Sequence, residues 1–353
     1  MSSSQLTRPD LDQLPSYVPG RSAPGAIKLA SNEVPYGPLP GVVEAITQAA
    51  ANAHRYPDMG VVALRETLAE RYGVGVDRIA TGCGSVALTE HLARVTCLPG
   101  DEILYSWRAF EAYPIIAAAT GATSVKVPND AGHRHDLAAM AAAVTDRTRM
   151  ILVCNPNNPT GTAARRAELD EFLAAVGEGV LVVLDEAYRE FVTDPDVPDG
   201  LAAYGDRPNV VILRTLSKAW GLAGLRVGFL IAAPEVAGTV RKVVTPFSTS
   251  AAAQAAALAA LAAPEEMRRR CDLVIAERGR VFEAIRKLVP DVPAAQSNFV
   301  WLPLGERSVP FATACAAGGV LVRPFPDEGV RVTIGTPEEN DTLLALAEDA
   351  LSS

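Results

Sequence analysis

The sequence predicts an α/β protein: a large domain with a mainly parallel seven-stranded sheet covered by helices, then a smaller α/β domain. Two observations lead there. Between residues 78 and 231, seven short apolar runs alternate with helix-like stretches, the pattern of strands buried on both faces. After Ala233-Pro234 the texture changes to long helical periodicity and then to a second, smaller set of strands. The length of 353 residues suits two domains at ~150 residues each.

The elements follow in order. Residues 1–40 carry Pro9, Pro15, Pro19, Pro24, Pro35, Pro38 and Pro40 among several glycines, and read as an extended arm joining the small domain. Helical pattern runs over Gly41–Ala51 and Val62–Tyr72. The seven strand candidates are Arg78–Thr81, Glu102–Tyr105, Thr123–Val127, Met150–Cys154, Val180–Leu184, Val210–Arg214 and Arg226–Ile231. The large domain is placed at residues 41–235 and the small one at 236–353. In the latter, helical pattern from Ser250 to Leu288 precedes strands at Asn298–Leu302, Val320–Val322 and Gly329–Thr333.

A formal net charge of −9 disfavours a polyanionic partner, so no nucleic acid is expected. Five cysteines without a C-x-x-C pair suggest neither a disulfide framework nor a zinc site, as in a reducing cytoplasm. No apolar run reaches ~18 residues, so no membrane span is expected, and the start lacks a signal-peptide pattern. His133 and His135 form H-x-H in a polar loop without a third ligand type nearby; a solvated turn is expected there, and no metal.

In open α/β sheets ligands gather at the carboxyl ends of strands, and four polar segments stand there. Gly82-Cys83-Gly84-Ser85-Val86-Ala87 nearly matches a dinucleotide fingerprint. Asp101, however, precedes a strand, where the ribose-binding acid should follow one. The segment reads as an anion cup at a helix N-terminus or as a tight turn with a serine cap. Asn155-Pro156-Asn157-Asn158-Pro159-Thr160-Gly161 follows one strand, and Asp185-Glu186-Ala187-Tyr188 the next. Thr215-Leu216-Ser217-Lys218 follows a fourth, with Gly221, Gly224 and Arg226 beyond. A lysine so placed can be desolvated, which lowers its pKa toward the neutral amine that nucleophilic chemistry needs.

Asn158-Pro159-Thr160-Gly161, Asp185-Glu186-Ala187-Tyr188 and Ser217-Lys218, with Arg226 eight residues on, together resemble the signature of fold-type I pyridoxal-phosphate aminotransferases. Leu29-Ala30-Ser31-Asn32-Glu33, Arg55-Tyr56-Pro57 and Gly221–Gly228 are similar to the histidinol-phosphate aminotransferase branch and its aromatic aminotransferase relatives. The resemblance implies pyridoxal 5′-phosphate as cofactor, held as a Schiff base by Lys218, which also acts as general acid–base. Asp185 would face the ring nitrogen, and Asn158 and Tyr188 the phenolic oxygen. Ser85, Val86, Thr215, Ser217 and Arg226 would hold the phosphate end, and Phe110 would lie against the ring. Tyr56 would reach the phosphate from a neighbouring subunit, which implies a homodimer. Arg331 would grip the substrate carboxylate, with Arg323 as a second positive contact. Tyr17 and Asn32 would cover the substrate.

The same resemblance implies an amino acid and a keto acid as substrates, 2-oxoglutarate being the acceptor. For the donor, two readings stand. Val86-Ala87 replaces the acidic pair usual in the histidinol-phosphate branch, and Asn32-Glu33-Val34-Pro35 departs from its arm pattern. With the aromatic-rich segment Trp107–Tyr113, these favour aromatic amino acids such as phenylalanine. Histidinol phosphate is the alternative.

Overall fold

The computed structural model describes residues 6–12, 14, 20 and 23–351. The first strand, β1 (Ile27–Lys28), belongs to the arm. Then come β2 (Ile79–Cys83), β3 (Glu102–Trp107), β4 (Thr123–Pro128), β5 (Thr148–Cys154), β6 (Leu181–Asp185), β7 (Val210–Thr215) and β8 (Val227–Ile231). These make one seven-stranded sheet in the order β2-β8-β7-β6-β5-β3-β4. Its pairs are parallel except those of β8, which runs antiparallel to both β2 and β7.

The apolar runs of the inner strands are continuous because these strands feed two cores. In β6, Val182 and Leu184 enter one core and Val183 the other. In β7, Val210 and Ile212 oppose Val211 and Leu213 in the same way. Burying each such side chain stabilises by ~1.5–3 kcal/mol, and the edge strand β4 turns polar residues, Thr123 and Lys126, to the surface. The antiparallel β8 has a further effect. Its first residue, Val227, pairs with Cys83 at the end of β2, and Gly228 pairs with Thr215 at the end of β7. Arg226, just before it, therefore stands at the same edge as the carboxyl ends of the parallel strands.

The C-terminal part holds β9 (Phe299–Leu302), β10 (Val320–Leu321), β11 (Arg323–Phe325) and β12 (Gly329–Thr333). Strands β11-β12-β9 form an antiparallel sheet, while β10 pairs in parallel with β1. The strand expected at Val320–Val322 is thus followed directly by another: one stretch binds the arm and the next begins a hairpin.

The sequence places the domain change at 236, within helix Pro234–Val243. That helix packs on helix Gly84–Thr96 and β2, and helix Ala251–Leu261 packs on helices Val42–Ala50 and Val62–Tyr72. Helix Pro264–Leu288 reaches β9 and the C-terminal helix Pro337–Leu351. Among the described residues no helix is long and apolar enough to cross a membrane.

His135 also departs from expectation. Its Nε2 lies 2.9 Å from the Cys154 carbonyl oxygen, and burial pushes its pKa down to about 4. It is a packed residue that ties its loop to the end of β5, not a solvated one.

Beneath the carboxyl edge lies a buried ion network. Arg214 donates from Nη2 to Glu186 Oε2 at 2.7 Å and to Asp199 Oδ1 at 2.9 Å. The Gly200 amide donates to Glu186 Oε1 at 2.7 Å. Arg214→Met would leave the Glu186 carboxylate buried without its cation, a change that costs about 3–5 kcal/mol. Denaturant unfolding should read that loss, and Arg214→Met/Glu186→Leu should recover most of it. Equal stability of Arg214→Met and the wild type would refute the ion pair.

Candidate active site

A cavity of about 490 Å³ opens at the carboxyl edge of the large sheet, between it and the C-terminal strands. Of the residues expected to bind cofactor or substrate, thirteen line it: Ser85, Val86, Phe110, Asn158, Asp185, Tyr188, Thr215, Ser217, Lys218, Arg226, Asn32, Arg323 and Arg331. Tyr17 lies outside the described residues. Tyr56 is absent from the cavity lining; it is 82% exposed, stacked on Phe247 with ring centroids 4.5 Å apart.

The floor is built from strand ends. Asp185 closes β6 and is buried. Its Oδ2 accepts from Tyr113 Oη at 2.9 Å, while its buried Oδ1 has no hydrogen-bond partner. Burial lifts this carboxyl to about 6, against the pull of the Tyr113 bond and the Lys218 charge. Lys218 follows β7 and donates from Nζ to the Ser31 carbonyl at 3.2 Å. Burial first, then the charges of Arg331 and Arg226, push the amine down to about 7. Near neutral pH a good part of it is unprotonated, the form that attacks carbonyl carbon and takes up protons.

One end of the cavity is an anion cup. Helix Gly84–Thr96 presents its N-terminus there with no side chain capping it, so free N–H groups and the positive end of the helix dipole face the cavity. Arg226 Nη1 donates to Ser217 Oγ at 3.2 Å and to the Ala223 carbonyl at 3.1 Å. A Cβ on Gly84 would collide with the Arg226 guanidinium, and its φ of +79° is left-handed. A Cβ on Gly228 would strike the Ser85 amide. These two glycines bring arginine and helix end together.

The opposite wall carries Arg331, on β12. Its Nη1 donates to Asn158 Oδ1 at 2.6 Å and its Nη2 to the Ala30 carbonyl at 2.7 Å. Asn32 donates from Nδ2 to Tyr188 Oη at 2.9 Å, and Thr333 Oγ1 donates to Asn32 Oδ1 at 3.0 Å. Arm, β6 loop and β12 thus share one bonded cluster. Arg323 is paired with Glu111 at 2.9 Å, so its charge is already partly met.

Sequence reasoning passed over several cavity residues. Ile115, Ile116, Ala119 and Phe325 line the cavity along with Val86, as does Glu90. Tyr113 lies under Asp185. Its place three residues after Phe110, in the aromatic-rich segment, was the available signal.

An unpartnered buried carboxylate oxygen, a low-pKa lysine and an anion cup in one cavity suit a phosphate-bearing compound with a basic ring nitrogen. Pyridoxal phosphate meets that description, so the residues fit the expected cofactor.

A family model described as "Aminotransferase class I and II" matches residues 24–346. An aromatic amino acid aminotransferase of Streptomyces coelicolor is 55% identical over 98% of this chain and 98% of its own length. One of Rhodococcus jostii is 56% identical over 97% and 95%. Among solved structures, histidinol-phosphate aminotransferase from Sinorhizobium meliloti, in complex with pyridoxal-5′-phosphate, superposes with a TM-score of 0.87. It is 28% identical over 99% of both chains.

The buried amine also sets a pH dependence. Below about pH 7 Lys218 is protonated both folded and unfolded, and the fold bears the full cost of a buried cation. Between about 7 and its ordinary 10.5 the folded amine is neutral, so the cost fades as pH rises. Lys218→Met should therefore stabilise the cofactor-free protein by several kcal/mol at pH 6, at ~1.4 kcal/mol per pK unit, and by much less at pH 9.5. Thermal unfolding at the two pH values checks this; an equal gain at both would mean the amine is not desolvated.

Proposed function

The chain belongs to the class I and II aminotransferases, and we propose that it moves amino groups between aromatic L-amino acids and 2-oxoglutarate in a ping-pong cycle. Its cofactor is pyridoxal 5′-phosphate. The observation that carries the choice of donor is that Val86, Ile115, Ile116, Ala119 and Phe325 line the same cavity as Arg331. A benzyl or indolyl side chain suits such a lining, and the guanidinium suits the carboxylate at the other end of the same substrate. The identity of more than half to relatives named for aromatic amino acids supports the reading.

The assignment of residues follows the chemistry of each group. Lys218 would attach the cofactor through Nζ. Asp185 Oδ1 would face the ring nitrogen, and Asn158 and Tyr188 would bond the phenolic oxygen. Ser85, Thr215, Ser217, Arg226 and the amide of Val86 would take the phosphate, where hydroxyls, N–H groups and a guanidinium match a dianion. Phe110 would pack on the ring. Bound there, the cofactor would supply an electron sink when the substrate Cα loses its proton. Lys218 Nζ, set free when the substrate amine displaces it, would take that proton, a task its pKa near 7 suits at neutral pH. Arg331 holds the substrate carboxylate, Asn32 orients Tyr188 through its 2.9 Å bond, and Arg323 adds positive charge at the edge of the cavity. Tyr17, in the arm, covers the substrate.

The protein works as a homodimer in this reading. Tyr56, Met59, Val62 and Phe247 expose 82%, 59%, 47% and 39% of their surface. Such an apolar patch fits burial against a second copy, whose phosphate cup Tyr56 would reach. The cytoplasm is the proposed location, in keeping with five free cysteines.

The deciding experiment is the initial rate of glutamate formation from 2-oxoglutarate by the loaded enzyme, with phenylalanine or histidinol phosphate as donor. Phenylalanine should have the higher kcat/KM by tenfold or more, ~1.4 kcal/mol of transition-state preference. The reverse ratio would assign the enzyme to histidinol phosphate. For the dimer, Tyr56→Phe should weaken cofactor binding about tenfold, the range for one hydrogen bond to a charged group. A fully active monomer in sedimentation would end that assignment.

A further inference from the structure

Tyr113 is among the most completely buried large side chains of the protein, at 1% exposure. It sits in the first turn of helix Ala112–Thr120. Its ring is clamped edge-on between Phe110 and Tyr105, each with centroids 5.6 Å away, at 84° and 60°. The clamp leaves the hydroxyl one direction, and there it meets Asp185 Oδ2 at 2.9 Å. Asp185 Oδ1 keeps no partner and belongs to a residue lining the cavity. The two oxygens of one carboxylate are thus divided, one held from behind and the other offered to the ligand space.

We infer that Tyr113 is the positioning residue of Asp185, fixing the rotation of its carboxylate and keeping it the anionic member of its pairing with the cofactor's ring nitrogen. The inference rests on the assignment of Asp185 to that nitrogen. A tyrosine hydroxyl donates to a carboxylate far better than it can accept from a carboxylic acid, so the bond favours the charged form. Among the groups that favour the charged form, the Tyr113 hydroxyl acts most strongly. Glu186 and Cys154 bear on it only as negative or neutral neighbours, and the Ala187 amide and the Lys218 charge act in the same direction as Tyr113. With the hydroxyl gone, Asp185 becomes the stronger base and the shared proton moves from the ring nitrogen to the carboxyl. Phe110 packs on the same tyrosine, so one side chain sets both the carboxylate and a residue assigned to the ring face.

The test is nitrogen-15 NMR of the holoenzyme loaded with ring-labelled pyridoxal phosphate, across pH 6–8. The wild type should show a protonated ring nitrogen. Tyr113→Phe should move the signal toward the unprotonated position, and its cofactor dissociation constant should rise about tenfold. Tyr113→His, which returns a donor on a smaller ring, should recover part of the wild-type signal, and it serves as the reading if the phenylalanine variant does not load. An unchanged nitrogen signal in Tyr113→Phe would overturn the inference, because a side chain that only packs would leave the proton where it is. Asp185→Asn is the control. If it moves the signal and Tyr113→Phe does not, the tyrosine proposal alone fails. If Asp185→Asn leaves the signal in place, the assignment of Asp185 itself fails.

Discussion

The inner strands of the large sheet are covered on both faces by apolar cores, so its polar chemistry gathers where those strands end. That constraint organises the molecule. Strands β5, β6 and β7 are apolar through their middles, and a polar group stands at or shortly after the end of each: Asn158, Asp185 and Lys218. Parallel pairing brings these groups to one edge. The antiparallel β8 adds the start of a strand to the ends of others, and so delivers Arg226 beside the N-terminus of helix Gly84–Thr96. An arginine there and an anion cup there are consequences of one reversed strand.

Within that edge the electrostatics are arranged in opposition. Burial pushes the Lys218 amine down and the Asp185 carboxyl up, so each is driven toward its neutral form. Arg331 and Arg226 push the lysine further the same way. The Tyr113 hydroxyl works against burial on the aspartate. Burial and the two arginines thus prepare the nucleophile together, whereas the anion is opposed by burial and favoured by the Tyr113 donor. The ion network of Glu186, Arg214, Asp199 and Arg189 lies immediately behind, and there two carboxylates meet two guanidinium groups inside the protein.

Much of this was legible in the sequence for a physical reason. Strands buried on both faces print as unbroken apolar runs, and all seven of the large sheet were readable to within two residues or so. Strands β1 and β11, of two and three residues, carry no such run, because they exist only through their pairing. The seat of helix Ala251–Leu261 against helices Val42–Ala50 and Val62–Tyr72 was not legible, because an alanine-rich helix packs closely on almost any neighbour and prints no direction. The strand-end residues stood out as polar groups following apolar runs. Ile115 and Ile116 did not, since an apolar residue that lines a cavity has the same pattern as one that fills a core, and the bond of buried Tyr113 to Asp185 joins elements that only the fold brings together. His135 read as solvated because its bond to the Cys154 carbonyl spans a loop and a strand end that only the fold brings together.

The cavity wall opposite the sheet is closed by the two ends of the chain. Arg331 bonds the Ala30 carbonyl, Thr333 bonds Asn32, and the arm pairs with residues 320–321. The first pair is separated by 301 residues. Synthesis proceeds from the N-terminus, so Ala30 and Asn32 leave the ribosome with no wall to join until the chain has been made past Thr333. The sheet and its lysine can fold before then, but the chamber around them closes only once those further residues have emerged. A truncated product, however well its sheet is formed, therefore lacks a finished chamber.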